Sequence, residues 1–133
     1  MARIDQLLAQ AAEIDSPTAK LDAELLLAYV LDKPRSYLYT WPEKDVSTQQ
    51  AVDYAALLQR RLQGEPVAYL LGRQGFWTLD LEVGQRTLIP RADTELLVEA
   101  ALQLCATDRA LHVLDLGTGS GAVALALASE CAQ

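Results

Sequence analysis

The densest chemistry in this chain of 133 residues lies in the segment VLDLGTGSGAVALALA, residues 113–128. Gly117, Gly119 and Gly121 alternate there with Thr118 and Ser120, behind a run of apolar residues. Glycines at this spacing let a ligand approach the backbone, and the helix that follows them offers free N–H groups at its positive end. Asp115, two residues before the first glycine, would place a carboxylate at the carboxyl end of a strand, where open α/β sheets bind ligands. No Gly-Lys-Ser/Thr sequence follows, which excludes a P-loop.

Three readings of the loop stand. The spacing Asp115-x-Gly117-x-Gly119-x-Gly121 is that of the first motif in S-adenosylmethionine-dependent methyltransferases. With Ala122 in the third place the same letters satisfy the dinucleotide pattern G-x-G-x-x-G/A. The third reading is a tight strand-to-helix turn with no ligand. A dinucleotide site wants an acid about 20 residues further on, past residue 133. The acid before the glycines favours the first reading, because a ligand with an ammonium and a sulfonium but no pyrophosphate suits a nearby carboxylate.

Other reactive side chains are few. Cys105, Cys131 and the single histidine, His112, show no metal-ligand spacing, so no metal is expected, and the thiols should be reduced. His112 reads as a partly buried strand residue, Cys105 as helix packing, and Cys131 as exposed. Lys and Arg number 11 against 18 Asp and Glu, a formal charge of −7, which argues against a stand-alone nucleic-acid binder. The N-terminus lacks the apolar core of a signal peptide, and no uncharged apolar run is long enough for a membrane span. A monomeric cytoplasmic protein is expected.

The elements that must carry these residues follow from periodicity. Apolar residues at 4, 7, 8, 11 and 14 predict a helix, and Ser16-Pro17 should open a second one reaching Leu31, with Leu21, Leu25 and Ala28 on its buried face, broadened by Leu26, Leu27, Tyr29 and Val30. Ser47 to Gln50 has the form of a capping box before a helix with Ala51, Ala55, Leu58 and Leu62 inward. Gly64 should end it, and a short helix, Pro66 to Leu71, should stop at Gly72. Alternation then predicts a strand from Trp77 to Val83, a turn at Gly84-Gln85 and a return strand from Arg86 to Ile89. Asp93 should cap a helix whose inner face is Leu97, Val98, Ala101, Leu102 and Cys105. A buried strand, Ala110 to Leu116, should lead into the glycines and a final helix. One parallel strand cannot complete a sheet, so the sequence is expected to be the N-terminal part of something longer.

TLIPRADTE (residues 87–95) followed by LDLGTGSGAVALALA resembles the HemK/PrmC family of release-factor glutamine methyltransferases. DAELLLAYVL (residues 22–31) and GEPVAYLLGRQGFW (residues 64–77) resemble that family's N-terminal domain and hairpin. Ala92 departs from the proline usual in the family but removes no chemical group. Asp93-Thr94-Glu95 favours release factors over the ribosomal-protein substrate of a sister family. The resemblance implies an α/β protein: a helical substrate-recognition domain over 1–72, a β-hairpin linker over 73–92, and over 93–133 the start of a Rossmann-like class I methyltransferase domain. It implies methyl transfer from S-adenosylmethionine to the side-chain amide N5 of the glutamine in the Gly-Gly-Gln motif of class I release factors.

The residues carried over are Gly117, Thr118, Gly119, Ser120 and Gly121 as cofactor loop, and Asp115 as an orienting or electrostatic contact. The amide-holding Asn-Pro-Pro-Tyr segment of the family does not occur in this sequence. The 133 residues alone are therefore expected to be inactive and to bind cofactor weakly at best. A non-catalytic docking module and a nicotinamide-dependent oxidoreductase are the alternatives. Tyr37, Tyr39 and Trp41 read either as a packed interhelical loop or as a docking surface. Arg60-Arg61 suits a helix C-terminus, with RNA binding the lesser reading. Glu95 and Glu99 read as a solvated helix face. Arg91 either touches cofactor or ties the hairpin to the sheet.

Overall fold

The computed structural model describes residues 1–105 and 109–131. The chain divides between Leu71 and Gly72 into two compact units. It combines helices with two small antiparallel sheets, and no helix among the described residues is long and apolar enough to cross a membrane.

The first unit is helical. Strand β1 (Ala2–Arg3) pairs with β2 (Asp45–Val46), pinning the N-terminus beside the middle of the unit. Helix α1 (Ile4–Leu8) tightens into a 3-10 turn over Ala9–Glu13 rather than continuing as one α-helix. Its apolar spacing still delivers Ile4, Leu7, Ala11 and Ile14 to the core. Helix α2 (Ala19–Leu31) starts two residues later than expected, with Thr18 as N-cap, while Ser16 Oγ accepts from the Thr18 N–H at 3.2 Å. The buried side of α2 is Ala23, Leu26, Leu27 and Ala28, whereas Leu21 is 37% exposed. Of the broad expected face, Leu26, Leu27 and Ala28 are buried while Leu21 and Tyr29 are exposed and Leu25 and Val30 half-buried, because the run LLLAYVL is apolar all round and gives no angular preference. The true face is also marked by two acids, Asp22 and Glu24, which are buried because each has an arginine partner.

Helix α3 (Arg35–Thr40), expected as loop, follows Pro34 and buries Leu38. Helix α4 (Thr48–Leu62) begins at the anticipated capping box: Ser47 Oγ accepts from the Gln50 N–H at 3.2 Å. It buries Tyr54 and Leu58, not Ala55, which is exposed. Gly64 follows with φ +96°, helix α5 (Val67–Leu71) closes the unit, and Gly72 stops it with φ +71°.

The second unit opens with the hairpin of β3 (Arg73–Phe76) and β4 (Leu79–Glu82), in which Phe76 lies opposite Leu79. Trp77 and Thr78 form its turn, so the expected strand 77–83 is split and the hairpin lies earlier in the chain than predicted. Gly84 to Thr87 is a closed turn (Thr87 N to Gly84 O, 2.9 Å), and the expected return strand, Arg86 to Ile89, is not formed. The alternation nevertheless identified the inward side chains, since Leu81 and Val83 are buried. A 3-10 turn (Ala92–Thr94) leads to helix α6 (Glu95–Leu104); Arg91 and Thr94 stand at the cap positions, not Asp93, and no side chain caps either. Val98 is buried on α6, while Leu97 is 57% exposed. Helix α7 (Ala122–Glu130) completes the unit, and Phe76, Leu81, Val98, Ala122 and Ala126 form its core.

Residues 110–116 correct the expectation of a buried strand. They carry no ladder pairing, and Leu111, Val113, Leu114 and Leu116 are exposed. A strand exists through hydrogen bonds to neighbours, and among the described residues no strand lies beside this segment. His112, expected to be partly buried, is exposed with it, and Cys105 and Cys131 are both half-buried.

Candidate functional site

The glycine loop takes the backbone shape its composition demands. Gly117, Gly119 and Gly121 have φ of +67°, +58° and +82°, the left-handed region that side chains with a Cβ rarely enter. A Cβ at Gly117 would meet nothing within 4 Å, and one at Gly119 only the Gly117 carbonyl oxygen at 4.0 Å. At these two positions, then, backbone conformation requires glycine, and the space over them is open. Gly121 is tighter: its Cβ would come within 3.4 Å of Leu125 Cδ1.

The loop is closed at both ends by hydrogen bonds. Gly121 N–H donates to the Thr118 carbonyl at 2.9 Å, and Leu125 N–H donates to the Gly121 carbonyl at 2.8 Å, starting α7. Among the described residues no side chain caps α7, so the N–H groups of its first turn lie at the positive end of the helix with no side-chain acceptor. Thr118 Oγ1 donates to Asp115 Oδ2 at 3.0 Å. That bond fixes the carboxylate beside the first two glycines and leaves Oδ1 with lone pairs to offer. Asp115, Ser120 and Gly121 are half-buried, while Gly117, Thr118 and Gly119 are exposed. All six anticipated residues thus fall in one contiguous turn. It presents an anionic oxygen, a run of small residues and, among the described residues, N–H donors that no side chain caps.

The other candidate residues lie apart from the loop. Arg91 is exposed, with its carbonyl accepting from Thr94 N–H at 3.1 Å. Glu95, expected on a solvated face, is half-buried and accepts from the Trp77 backbone N–H at 2.7 Å; Glu99 is exposed. Arg60 and Arg61 spend their charges inside the chain, on Glu65 (2.7 Å) and Asp22 (3.0 Å). Tyr37 and Tyr39 belong to α3 and Trp41 ends it. The Tyr39 hydroxyl donates to Glu24 Oε2 at 2.6 Å, and the ammonium groups of Lys33 and Lys44 lie over the Tyr37 ring at 5.7 and 5.8 Å.

Two buried polar arrangements escaped the sequence reading. Glu24 Oε2 accepts from Arg35 Nη2 at 2.8 Å as well as from Tyr39. Burial pushes the Glu24 carboxyl up, but those hydrogen bonds and the Arg35 charge outweigh it, and the group settles below the usual glutamate value. Tyr54 donates from its hydroxyl to the Leu7 carbonyl at 3.2 Å, and burial pushes it up to about 12. The only sequence signal for the first was a pair of acids inside an apolar helix. Arg35, eleven residues away, gave no periodic cue.

A family model described as the PrmC N-terminal domain matches residues 2–72. Over 116 residues the chain is 60% identical to the release factor glutamine methyltransferase of Aliivibrio fischeri, covering 87% of this chain and 40% of that protein. It is 59% identical over 130 residues to the protein of the same name from Pseudomonas aeruginosa, covering 98% of this chain and 47% of that one. The Shewanella oneidensis protein of that name is 57% identical over 115 residues, 86% of this chain and 40% of the relative. The chain thus spans less than half the length of these curated relatives.

Proposed function

The chain belongs to the PrmC N-terminal domain family, and from that premise we propose that its protein methylates the side-chain amide N5 of a glutamine in release factors, using S-adenosylmethionine. The acceptor is the glutamine of the Gly-Gly-Gln motif in class I release factors. Residues 115–121 are the cofactor loop. The observation that carries this is the donor set of the loop: left-handed glycines open above, N–H groups at the start of α7 that no described side chain caps, and one carboxylate held by Thr118.

That set fits the cofactor named. The Asp115 carboxylate would attract the cofactor's ammonium and sulfonium, and it would repel the pyrophosphate of a dinucleotide. The N–H groups of α7 would meet its carboxylate. The bound cofactor supplies an electrophilic sulfonium methyl. What this chain supplies is position: Thr118 keeps Asp115 aimed, Gly117 and Gly119 admit the ligand to the backbone, and Gly121 lets α7 start without a side chain in the way. Catalysis of this kind rests on alignment, for which several kcal/mol are available. The helical unit, residues 1–71, is assigned the task of holding the protein substrate.

Calorimetric titration of the chain with S-adenosylmethionine tests the loop, with Gly119→Asp as control. Saturable binding that Gly119→Asp abolishes is the expected result. Binding that the variant leaves unchanged overturns the assignment. The chain alone should transfer no methyl group to a release factor, because it lacks the Asn-Pro-Pro-Tyr segment that would grip the amide. Transfer observed with radiolabelled cofactor would refute that.

A further inference from the structure

Trp77 occupies a backbone position that bulky side chains avoid. It is the first of the two residues joining β3 to β4, and its φ is +56°. Two-residue hairpins with positive φ at that place ordinarily carry glycine there. An aromatic residue held in such a conformation must be fixed by its surroundings.

The fixing groups are two carboxylates from different helices. The Trp77 backbone N–H donates to Glu95 Oε1 at 2.7 Å, and Glu95 is the first residue of α6. The indole Nε1–H donates to Glu130 Oε1 at 2.7 Å, and Glu130 is the last residue of α7. Both are charge-assisted bonds, the stronger class. The ring also packs against the core that contains Ala122 and Ala126. Helix α7, nine residues and about 13 Å long, is thereby fastened at its far end to the hairpin. Its near end carries Gly121 and the loop.

We propose that Trp77 is a positioning residue for the glycine loop: by tying the end of α7 and the start of α6 to one strained turn, it sets where the α7 N-terminus points. The value of this to cofactor binding rests on the function proposed above; the fastening itself does not.

The test uses the ligand-free chain of 133 residues, with amide hydrogen exchange and the amide resonances of Gly117, Gly119 and Gly121 as readouts. Trp77→Phe removes the indole donor, and Glu130→Ala removes the acceptor while leaving the hairpin untouched. Each should speed exchange within residues 121–130 by about 10-fold or more, the factor a hydrogen bond to a charged group supplies. The double variant should add nothing further, since both changes break the same bond. The glycine resonances should move in both variants and return in Glu130→Gln, whose amide oxygen still accepts. Exchange changes confined to residues 73–82, or strictly additive effects, would overturn the proposal. Titration with S-adenosylmethionine on the same variants separates the two ideas. Loss of affinity in both single variants supports loop positioning. If the unaltered chain binds no cofactor, the exchange result alone decides the fastening.

Discussion

Glu24 shows how a single buried charge can organise a small helical core. Its ion pair with Arg35 and its bond from Tyr39 join α2 to α3, while its other oxygen, Oε1, has no hydrogen-bond partner among the described residues. Removing Arg35 leaves a buried carboxylate with one neutral donor, so Arg35→Ala should destabilise the helical unit by about 2 kcal/mol in denaturant unfolding. Because the folded carboxyl titrates below the ordinary glutamate value, Glu24 stabilises the unit above the unfolded pKa of about 4.3. That contribution is lost as pH falls through the folded value, and Glu24→Gln should flatten this part of the acid profile. Tyr54 behaves in the opposite sense. Its folded pKa of about 12 lies above the unfolded value near 10, so the unit keeps a proton that the unfolded chain gives up. Stability should fall between pH 10 and 12 by about 2–3 kcal/mol. Tyr54→Phe should remove that alkaline loss while costing about 1 kcal/mol at neutral pH, because the Leu7 carbonyl loses the bond from the hydroxyl. An alkaline unfolding series on both proteins checks it.

At the scale of elements, caps and glycines set the boundaries. Ser47→Ala should cost about 1 kcal/mol by denaturant unfolding, the usual worth of an N-cap bond such as that from Gln50 N–H. In the loop, Gly119→Ala should destabilise through φ alone, since nothing near its Cβ would clash. Where local chemistry decides, the sequence was readable: α1 by its spacing, α4 by its capping box, the loop by glycines at alternate positions. It was misleading where tertiary partners decide. The limits of the inner face of α2 were blurred by continuous apolar residues, and its two buried acids became intelligible only through the arginines that reach Asp22 and Glu24. The hairpin turn was missed because Trp77 fits the apolar alternation, while the carboxylates that bend it lie 18 and 53 residues away. The Thr118–Asp115 bond likewise needs the turn to exist before the spacing has meaning. Residues 110–116 read as a strand from their side chains, but pairing depends on neighbours that the pattern cannot name.

The two units differ in how well they cover their apolar side chains. Residues 1–71 contain a continuous core from Ile4 to Leu70 and should unfold cooperatively when produced alone, as circular dichroism would record. The second unit leaves Leu96, Leu104, Leu114 and Leu116 between 67% and 87% exposed. Exposed apolar area of that extent favours association. The whole chain should therefore self-associate with rising concentration in sedimentation velocity, contrary to the monomer expected from sequence, and Leu114→Lys with Leu116→Lys should suppress it. Charge is also divided unevenly by type. Arg3, Arg35, Arg60, Arg61 and Arg73 make ion pairs, while Lys20, Lys33 and Lys44 lie over aromatic rings. These are the chain's only lysines, and together with the Met1 amine they all fall within residues 1–71. Amine-reactive chemistry therefore has a built-in address. A surface or a dye coupled through primary amines grips the helical unit alone, and the glycine loop remains free of the tether.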